Sequence, residues 1–399
     1  MIESTIEDQV EEREISSGQS HRLRLSTDTS GLPNVEVSET RAASPAVLIA
    51  IPQNHLNGKE AEMVEDLKKV LTRQGLMSQL CSLGIPPGAG LPEDSIRPVY
   101  QQLGFVKFLR LLARRLPSFD VLHIVYFSGA SFTRAVLPSI LIARFLGKRV
   151  ILDYRSPLLF NRLADRTWFF KRVWKLCDLV LVLSAYQRQF VNSLGGTAEF
   201  ITARADTREI KPQVRSALQP RIVVATDLEK EFDVVCAIRA YQLVKQKYPR
   251  TEMTVIGSGR EKSSLESFVE TARIPGITFA GGLTRRQRWD IFTDAELYVN
   301  CSTIDYLSTE MVEALAHGLP VLTTPVSGSG EPFRSGENII LLSYNDHAVL
   351  ADRIIELIED PQLTEKLSRN ARLAAQRLDL AAAGEEWGRL FRRVAFRHE

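Results

Sequence analysis

Residues 121–154 carry the pattern on which the chain is built: V-L-H-I-V-Y (121–126), an apolar helical segment (134–146) and R-V-I-L-D-Y (149–154). The two outer segments are continuous apolar runs, as expected of strands that are buried on both faces of a parallel sheet. A helix between two such strands is typical of a βαβ unit. The sequence therefore predicts helices packed on both faces of a parallel sheet.

The same alternation extends in both directions along the chain. It begins at A-V-L-I-A-I (46–51) and reaches D-L-V-L-V-L-S (178–184), and a second series runs from R-I-V-V-A-T (221–226) through E-M-T-V-I-G (252–257). We therefore predict an α/β protein with two Rossmann-like domains that face each other across a cleft. Ligands of such sheets bind outside the carboxyl ends of the strands.

The length of 399 residues also suggests two domains. Polar composition predicts a disordered acidic tail over 1–44 and a linker over 206–219. The predicted domains occupy 45–205 and 220–380. A helix over 381–399 is expected to pack back towards the N-terminal domain.

Composition narrows the range of functions. The net charge is +2, and because the tail holds nine acids and four arginines, the remainder is mildly basic. Such a body suits an anionic small ligand or anionic lipid headgroups, and we expect no nucleic-acid binding. The four cysteines lack metal-binding spacing. With no secretory signal and no apolar run of about 18 residues, a cytoplasmic protein is expected.

Residues 302–324 read S-T-I-D-Y-L-S-T-E-M-V-E-A-L-A-H-G-L-P-V-L-T-T and predict a short helix followed by a buried strand. Ser308 or Thr309 can cap the helix, Gly318 can end it, and Pro320 precedes the strand. The helix starts at the carboxyl edge of the sheet. Its free N–H groups and its dipole are therefore suited to a phosphate.

Acidic residues surround the start of this helix. Asp305 lies just before it and Glu313 one turn inside it, so their carboxylates can accept hydrogen bonds from the hydroxyls of a sugar and a ribose. The alternative is that these acids have no ligand. The helix dipole favours acidic residues in a first turn, and Glu313 is spaced for a surface pair with His317. Glu310 is expected to serve only the dipole.

The stretch D-Y-L-S-T-E-M-V-E-A-L-A-H-G-L-P-V-L resembles the nucleotide-sugar signature of retaining glycosyltransferases of the GT-B fold, known as glycosyltransferase family 4 or group 1. Asp305 and Glu313 stand in its two acidic places. The resemblance covers about residues 45–380. It is specific in the C-terminal half, as in T-E-M-T-V-I-G-S-G (251–259), and follows mainly the general pattern in the N-terminal half.

The resemblance implies transfer of a sugar, with retention, from a nucleotide-diphosphate sugar to a sugar or lipid-linked acceptor. The acceptor would lie on the N-terminal domain, and no cofactor or tightly bound metal would be needed. It assigns Asp305 to the donor sugar, Glu313 to the ribose and Lys230 to the diphosphate. Ala225 or Thr226 falls where an arginine is expected, and Arg155 falls where a histidine is expected.

Further donor-side positions carried over by the resemblance are Gly257, Gly259 and Glu331, together with Ser308 and Thr309 at the helix start. Each position also has an ordinary interpretation. The G-S-G sequence can be a tight turn and Glu331 a turn acid. Lys230 can be a solvated lysine beside acidic neighbours, and Arg155 can pair with a phosphate, pair with an acidic acceptor or cap the domain surface.

Segment 105–116, F-V-K-F-L-R-L-L-A-R-R-L, is amphipathic and basic. It could lie on an anionic membrane surface, where lipid-linked acceptors reside. A buried amphipathic helix of the first domain is the favoured interpretation.

The leading hypothesis is a cytoplasmic or membrane-peripheral glycosyltransferase in polysaccharide, glycolipid or glycoconjugate assembly. The missing arginine and the loss of the family's early glycine-rich loop favour a second hypothesis, a noncatalytic GT-B subunit that binds nucleotide beside an active partner transferase. An epimerase or phosphorylase on the same fold is a third, for which the sequence offers no additional catalytic cluster.

Overall fold

The computed structural model describes residues 24–27, 33–36, 45–52, 58–82, 104–127, 132–155, 167–200, 205–304, 307–325 and 333–396. Two of the predicted site residues, Asp305 and Glu331, lie outside these ranges. The chain divides into two compact units, Met1–Ser44 and Pro45–Glu399.

The first unit contains a two-stranded antiparallel ladder formed by β1 (Arg24–Thr27) and β2 (Pro33–Glu36). The prediction of disorder over the whole tail is wrong for these residues. Polar and apolar residues alternate in Arg24-Leu25-Ser26, which is a strand signal that the overall polarity of the tail obscured. For the remaining residues of the tail, disorder stays a prediction.

The second unit contains two sheets, and the strands of each are all parallel. The first sheet has the order β4-β3-β5-β6-β7-β8. Its elements, in chain order, are β3 (Val47–Ile51), α1 (Gly58–Arg73), β4 (Ser78–Ser82), α2 (Phe105–Arg115), β5 (Val121–Tyr126), α3 (Leu137–Phe145), β6 (Arg149–Tyr154), α4 (Thr167–Trp174), β7 (Leu179–Val182), α5 (Ala185–Ser193) and β8 (Ala198–Phe200).

The second sheet has the order β11-β10-β9-β12-β13-β14. Its domain comprises β9 (Arg221–Ala225), α6 (Val234–Lys247), β10 (Glu252–Ile256), α7 (Lys262–Thr271), β11 (Ile277–Gly281), α8 (Arg285–Asp294), β12 (Leu297–Asn300), α9 (Thr309–Ala316), β13 (Val321–Thr323), β14 (Ile340–Leu341), α10 (His347–Glu359) and α11 (Pro361–Arg377). The last helix of the chain, α12 (Leu380–Ala395), follows α11 and packs on the first sheet. The predicted fold class, with its two series of alternating strands and helices, is confirmed.

Burial on both faces explains the apolar runs of the first sheet. All six residues of β5 are buried. On one face, side chains of α2, α3 and α4 share a core with alternate residues of the strands. On the other face, α1 packs together with α12, which contributes Trp387, Leu390 and Phe391. The last helix of the chain thus belongs to the core of the first domain, where each buried aromatic side chain contributes about 1.5–3 kcal/mol.

The connection between the domains is held by a buried arginine. The predicted linker, 206–219, has no regular secondary structure. Within it, the Arg215 guanidinium donates to the backbone carbonyls of five residues, and all of these residues lie in the second domain or in the linker: Gln213, Phe292, Thr293, Ala295 and His317. Arg215 therefore caps the carboxyl ends of α8 and α9 with its side chain.

Among the described residues, no helix combines the length and the apolar character needed to cross a membrane.

Candidate functional site

Three loops meet at the carboxyl edge of the second sheet. They follow β9, β10 and β12. The amide and the hydroxyl of Thr303 both donate to the carbonyl of Glu231, over 2.8 and 2.9 Å. The amide of Leu228 donates to the carbonyl of Ser258 over 2.9 Å. The sheet thus brings the loop of Lys230 beside the segment that leads into α9, as the order of the strands predicts.

Gly257 and Gly259 allow the loops after β9 and β10 to approach closely. Gly257 has a φ of +149°, and a Cβ atom there would lie 1.8 Å from the carbonyl oxygen of Thr226. A Cβ atom on Gly259 would lie 2.2 Å from the carbonyl oxygen of Leu228. Both glycines are required by backbone packing, which is the ordinary interpretation given above, and this packing also fixes the position of the Lys230 loop.

A Gly259→Ala substitution is expected to lower the free energy of unfolding by about 1–3 kcal/mol, because the added methyl group must displace backbone atoms. Urea unfolding measures this loss. Gly282→Ala is the matched control, since its Cβ atom would meet only the Ser258 hydroxyl at 3.8 Å. Equal losses in the two variants would contradict this account of the loop.

Lys230 lies in a single 3₁₀ turn, Lys230–Phe232, and is exposed. One of its acidic neighbours, Glu229, is held by Arg260, whose Nε donates to it over 2.7 Å. In the described part of the chain the Lys230 ammonium forms no ion pair. Ala225 and Thr226, the two candidates for the place of the expected arginine, are both buried, and the amide of Thr226 donates to the carbonyl of Ile256 over 3.0 Å.

The amino end of α9 has the predicted cap. The Ser308 hydroxyl accepts a hydrogen bond from the amide of Met311 over 3.1 Å, and Thr309 is the first helical residue. The helix ends at His317, and Gly318 follows with a φ of +74°. The start of α9 thus follows the segment that contacts the Lys230 loop through Thr303.

Glu313 is fully buried, and its carboxylate is held by Arg288. Nε of Arg288 donates to Oε2 over 2.6 Å and Nη2 donates to Oε1 over 2.9 Å, while Arg288 itself is only 1% exposed. Burial raises the pKa of the Glu313 carboxyl against the opposing effect of Arg288. Burial lowers the pKa of Arg288, but the hydrogen bond and charge of Glu313 outweigh this effect and raise it. The raised pKa of Glu313 favours a neutral carboxyl group, whereas the raised pKa of Arg288 favours a charged guanidinium. Because the guanidinium stays charged and donates to both oxygens, we treat Glu313 as ionised.

The Arg288–Glu313 pair is part of a charge cluster that joins the two domains. Arg285 donates to both carboxylate oxygens of Asp66 on α1, over 3.1 and 2.5 Å. The backbone amide of Arg285 donates to Glu62 over 2.7 Å, and Arg288 reaches the same Glu62 side chain over 3.3 Å. The proposed ribose ligand is therefore connected, through two arginines, to acids of the first domain.

Sequence reasoning missed this cluster, although one signal was present. Arg285 and Arg288 lie in the first turn of α8, where the helix dipole disfavours cations. Cations at that position need nearby acids, and Glu62, Asp66 and Glu313 supply them. The two partners in the first domain, Glu62 and Asp66, are 219 to 226 residues away from the arginines in sequence, so their identity could not be predicted from spacing.

Glu313 and His317 do not form the surface pair that was considered above, because both are buried. Nδ1 of His317 lies 2.8 Å from the carbonyl oxygen of Glu313. Glu310 is also buried, at 4% exposure, in the first turn of the same helix. The helix therefore has no ordinary solvated acidic face.

Stability should fall when the solution is acidified, because burial lowers the pKa of His317 to about 4. Between the unfolded value near 6.5 and this folded value, the unfolded chain binds a proton that the folded protein does not bind. The stability contributed by the neutral, buried His317 is thus fully present above about pH 6.5 and is lost progressively as the pH falls. The loss levels off below about pH 4. We expect a loss of about 2 kcal/mol between pH 7 and pH 5 by urea unfolding. In His317→Asn this part of the pH dependence should be absent, and an unchanged dependence would contradict the assignment.

Arg155 lies at the carboxyl end of β6, in the first domain. Its Nε donates to both oxygens of Asp153, over 2.9 and 3.0 Å. Burial alone would raise the pKa of Asp153, but the charge of Arg155 and the nearby His123 lower it. Arg155 thus compensates a buried carboxylate, and within the described residues no hydrogen bond or ion pair connects it to Lys230 or Glu313.

No group of three or more His, Cys, Asp or Glu side chains within the described ranges is arranged to hold a metal ion.

Residues 206–374 match the family model described as glycosyl transferases group 1. Among curated proteins, the chain is 22% identical over 223 residues to a poly(glycerol-phosphate) alpha-glucosyltransferase of Bacillus subtilis. This match covers 55% of this chain and 33% of that protein. It is 29% identical over 152 residues to a glycogen synthase of Mycobacterium tuberculosis, covering 38% of this chain and 36% of the other. The matches thus span about a third of the length of these relatives.

Solved structures share the fold over a longer range. The Anabaena protein HepE, in complex with UDP and glucose, aligns with a TM-score of 0.66 at 15% identity. The alignment covers 87% of this chain and 99% of that structure. Both domains of the second unit therefore have counterparts in the fold of this solved structure.

Proposed function

We propose that the protein transfers a sugar from a nucleotide-diphosphate sugar to an acceptor, with retention at the anomeric carbon, because residues 206–374 match the family model of the group 1 glycosyl transferases. The observation that carries this proposal is the convergence of the Lys230 loop and the Ser308-capped start of α9 at one edge of the second sheet. The proposed role is assembly of a polysaccharide, glycolipid or glycoconjugate.

The diphosphate is proposed to bind between Lys230 and the first turn of α9. The exposed ammonium of Lys230, which forms no ion pair with the described residues, is available to a phosphate, and the helix dipole favours negative charge at the same place. In the reaction, the bond from the sugar C1 to the diphosphate oxygen breaks and the acceptor hydroxyl oxygen bonds to C1. The hydroxyl proton leaves with the diphosphate. Charge that develops on the departing diphosphate is stabilised by these groups without a metal.

Glu313 is proposed to bind the ribose hydroxyls. A carboxylate offers about four acceptor positions, and Arg288 uses one on each oxygen. The remaining positions can accept two hydroxyl groups. Since Glu313 is 0% exposed, ribose binding requires the neighbouring side chains to move, and Arg288 keeps the carboxylate charged and oriented while they do so.

The remaining assignments rest on the resemblance. Asp305 is proposed to hold the donor sugar, and Glu331 to lie near the donor. The acceptor, a sugar or a lipid-linked molecule, is proposed to bind on the first domain, where Arg155 lies at the carboxyl end of β6. The UDP and glucose bound by the HepE structure support a nucleotide sugar as the donor.

The full-length protein is to be incubated with UDP-, GDP- and ADP-linked sugars and a panel of sugar and lipid-linked acceptors. The expected result is a glycosylated product whose anomeric configuration, read by NMR, equals that of the donor. A product with the opposite configuration would contradict retention. The absence of any product, with binding of nucleotide retained, would favour a second candidate.

That second candidate is a nucleotide-binding GT-B subunit that acts beside a partner transferase. The place where an arginine is expected is occupied by Ala225 or Thr226, both buried and uncharged, and this favours the second candidate. Transfer that occurs only after a partner transferase is added would distinguish this function from the first.

A further inference from the structure

Three helices on one face of the first sheet form a continuous layer. The buried sides of α2, α3 and α4 contribute Phe108, Ile140 and Trp174 to a single core. Phe132, in the π-helical turn before α3, contacts both Phe170 and Trp174 of α4, with ring centroids 5.3 and 6.5 Å apart. Since α1 and α12 cover the opposite face of the sheet, the outer sides of these three helices point the same way.

This layer is basic and has no acidic residue. The sequences of the three helices and of the π-helical turn contain no Asp or Glu. In the chain as a whole, 48 of 399 residues are acidic, so average composition does not explain their absence. Exposed cations occur on every member of the layer, including Lys107, Arg110, Arg114, Arg134, Lys171 and Arg172. The surface is therefore strongly cationic although the chain carries a net charge of only +2.

Large apolar side chains are exposed among these cations. Phe145, at the end of α3, is 91% exposed, and Trp168 on α4 is 65% exposed. Val106 on α2 and Leu141 on α3 are exposed by 62% and 50%. The guanidinium of Arg172 lies 4.1 Å from the ring centroid of Trp168. Exposed apolar residues therefore occur on all three helices, on the same layer as the exposed cations.

We propose that this surface, the outer side of α2, α3 and α4, binds an anionic lipid bilayer. Cations arranged on a flat helical layer complement anionic headgroups, and aromatic side chains such as Phe145 and Trp168 are suited to the boundary between headgroups and acyl chains. The inner sides of the helices are already committed to the core, so the layer can dock without unfolding. The favoured interpretation of segment 105–116, a helix packed in the first domain, is thus compatible with membrane contact through its outer side.

A nucleic acid would also be attracted to the cations, but the exposed aliphatic side chains of Val106 and Leu141 offer it neither a charge nor a hydrogen bond, whereas they can enter the boundary of a bilayer. The observations therefore favour lipid. This inference does not depend on sugar transfer, because it concerns the first domain and a property that is measured without nucleotide.

The test is sedimentation of the full-length protein with two kinds of vesicle, phosphatidylcholine alone and phosphatidylcholine mixed with phosphatidylglycerol. We expect binding only to the mixed vesicles, weakened by salt. The triple variant Lys107→Glu/Arg110→Glu/Arg114→Glu should bind more than about a hundredfold less tightly. Phe145→Ser/Trp168→Ser should bind about tenfold less tightly.

The matched control reverses three exposed cations on α11 of the second domain, Lys366→Glu/Arg369→Glu/Arg372→Glu, and should bind like wild type. Circular dichroism melting verifies that each variant is folded. Absence of binding to the mixed vesicles, or an equal loss in the control, would overturn the proposal. Binding of a short DNA duplex that depends on the three cations of α2 but not on Phe145 and Trp168, without vesicle binding, would assign the surface to nucleic acid.

Discussion

A Glu313→Gln variant is expected to lose at least about a hundredfold in affinity for the nucleotide-sugar donor, because the neutral amide replaces two charge-assisted hydrogen bonds to the ribose. The same change leaves Arg288 buried without its counter-charge, which should lower the free energy of unfolding by about 3–5 kcal/mol. Calorimetry of donor binding and urea unfolding measure the two effects separately.

A second variant separates binding from folding. Glu313→Gln/Arg288→Met removes both members of the buried ion pair, so most of the lost stability should return. Donor affinity should remain low, since the carboxylate is still absent. If the double variant recovered both stability and donor affinity, the role of Glu313 would be structural only and its assignment to the ribose would be wrong.

Arg215→Met is expected to lower the free energy of unfolding by about 4 kcal/mol. The substitution removes the donor shared by five backbone carbonyls at the ends of α8 and α9, and leaving buried acceptors unsatisfied costs about 1–3 kcal/mol for each group. Arg221→Met is the matched control. Arg221 is paired at the surface with Glu296 over 2.8 Å, and such a pair contributes less than about 1 kcal/mol.

The Arg215 experiment uses urea unfolding of the full-length protein. Similar losses for Arg215→Met and Arg221→Met would show that the linker does not hold the ends of the helices. Arg215→Lys should be intermediate, because one ammonium cannot reach all the carbonyls that the planar guanidinium reaches.

The regular elements of the second unit could be predicted from sequence, because continuous apolar runs such as those at 121–126 and 149–154 coincide with buried strands. Local chemistry also predicted the start and end of α9, where Ser308 caps the helix and Gly318 follows it. Both signals act over a few residues, which is the range over which pattern reasoning is strongest.

Contacts between distant segments could not be predicted in this way. Arg288 lies in a polar sequence that resembles an exposed helix, yet it is buried against Glu313 and reaches Glu62 in the other domain. Arg215 lies in a polar segment without periodicity, yet it is buried as well. Each arginine is explained only by partners that the fold brings together, so neither burial nor pairing could be read from its neighbours in sequence.

The structure changes the interpretation of the acids of α9 more than it changes where the site is proposed, at the carboxyl edge of the second sheet. The sequence resemblance assigned Glu313 to the ribose of the donor, whereas the structure shows its carboxylate bound to the guanidinium of Arg288. The donor hypothesis therefore needs a rearrangement around a buried ion pair. The network from Glu313 through Arg288 to Glu62 offers a physical connection between that rearrangement and the packing of the two domains.

Hydrogen exchange of the full-length protein, with and without saturating UDP, GDP or ADP, tests most directly whether the carboxyl edge of the second sheet holds a nucleotide diphosphate. We predict that one of these nucleotides slows amide exchange in 226–233 and 307–311, the loop of Lys230 and the first turn of α9. Protection confined to the first domain, or no protection with any of the three nucleotides, would contradict this location.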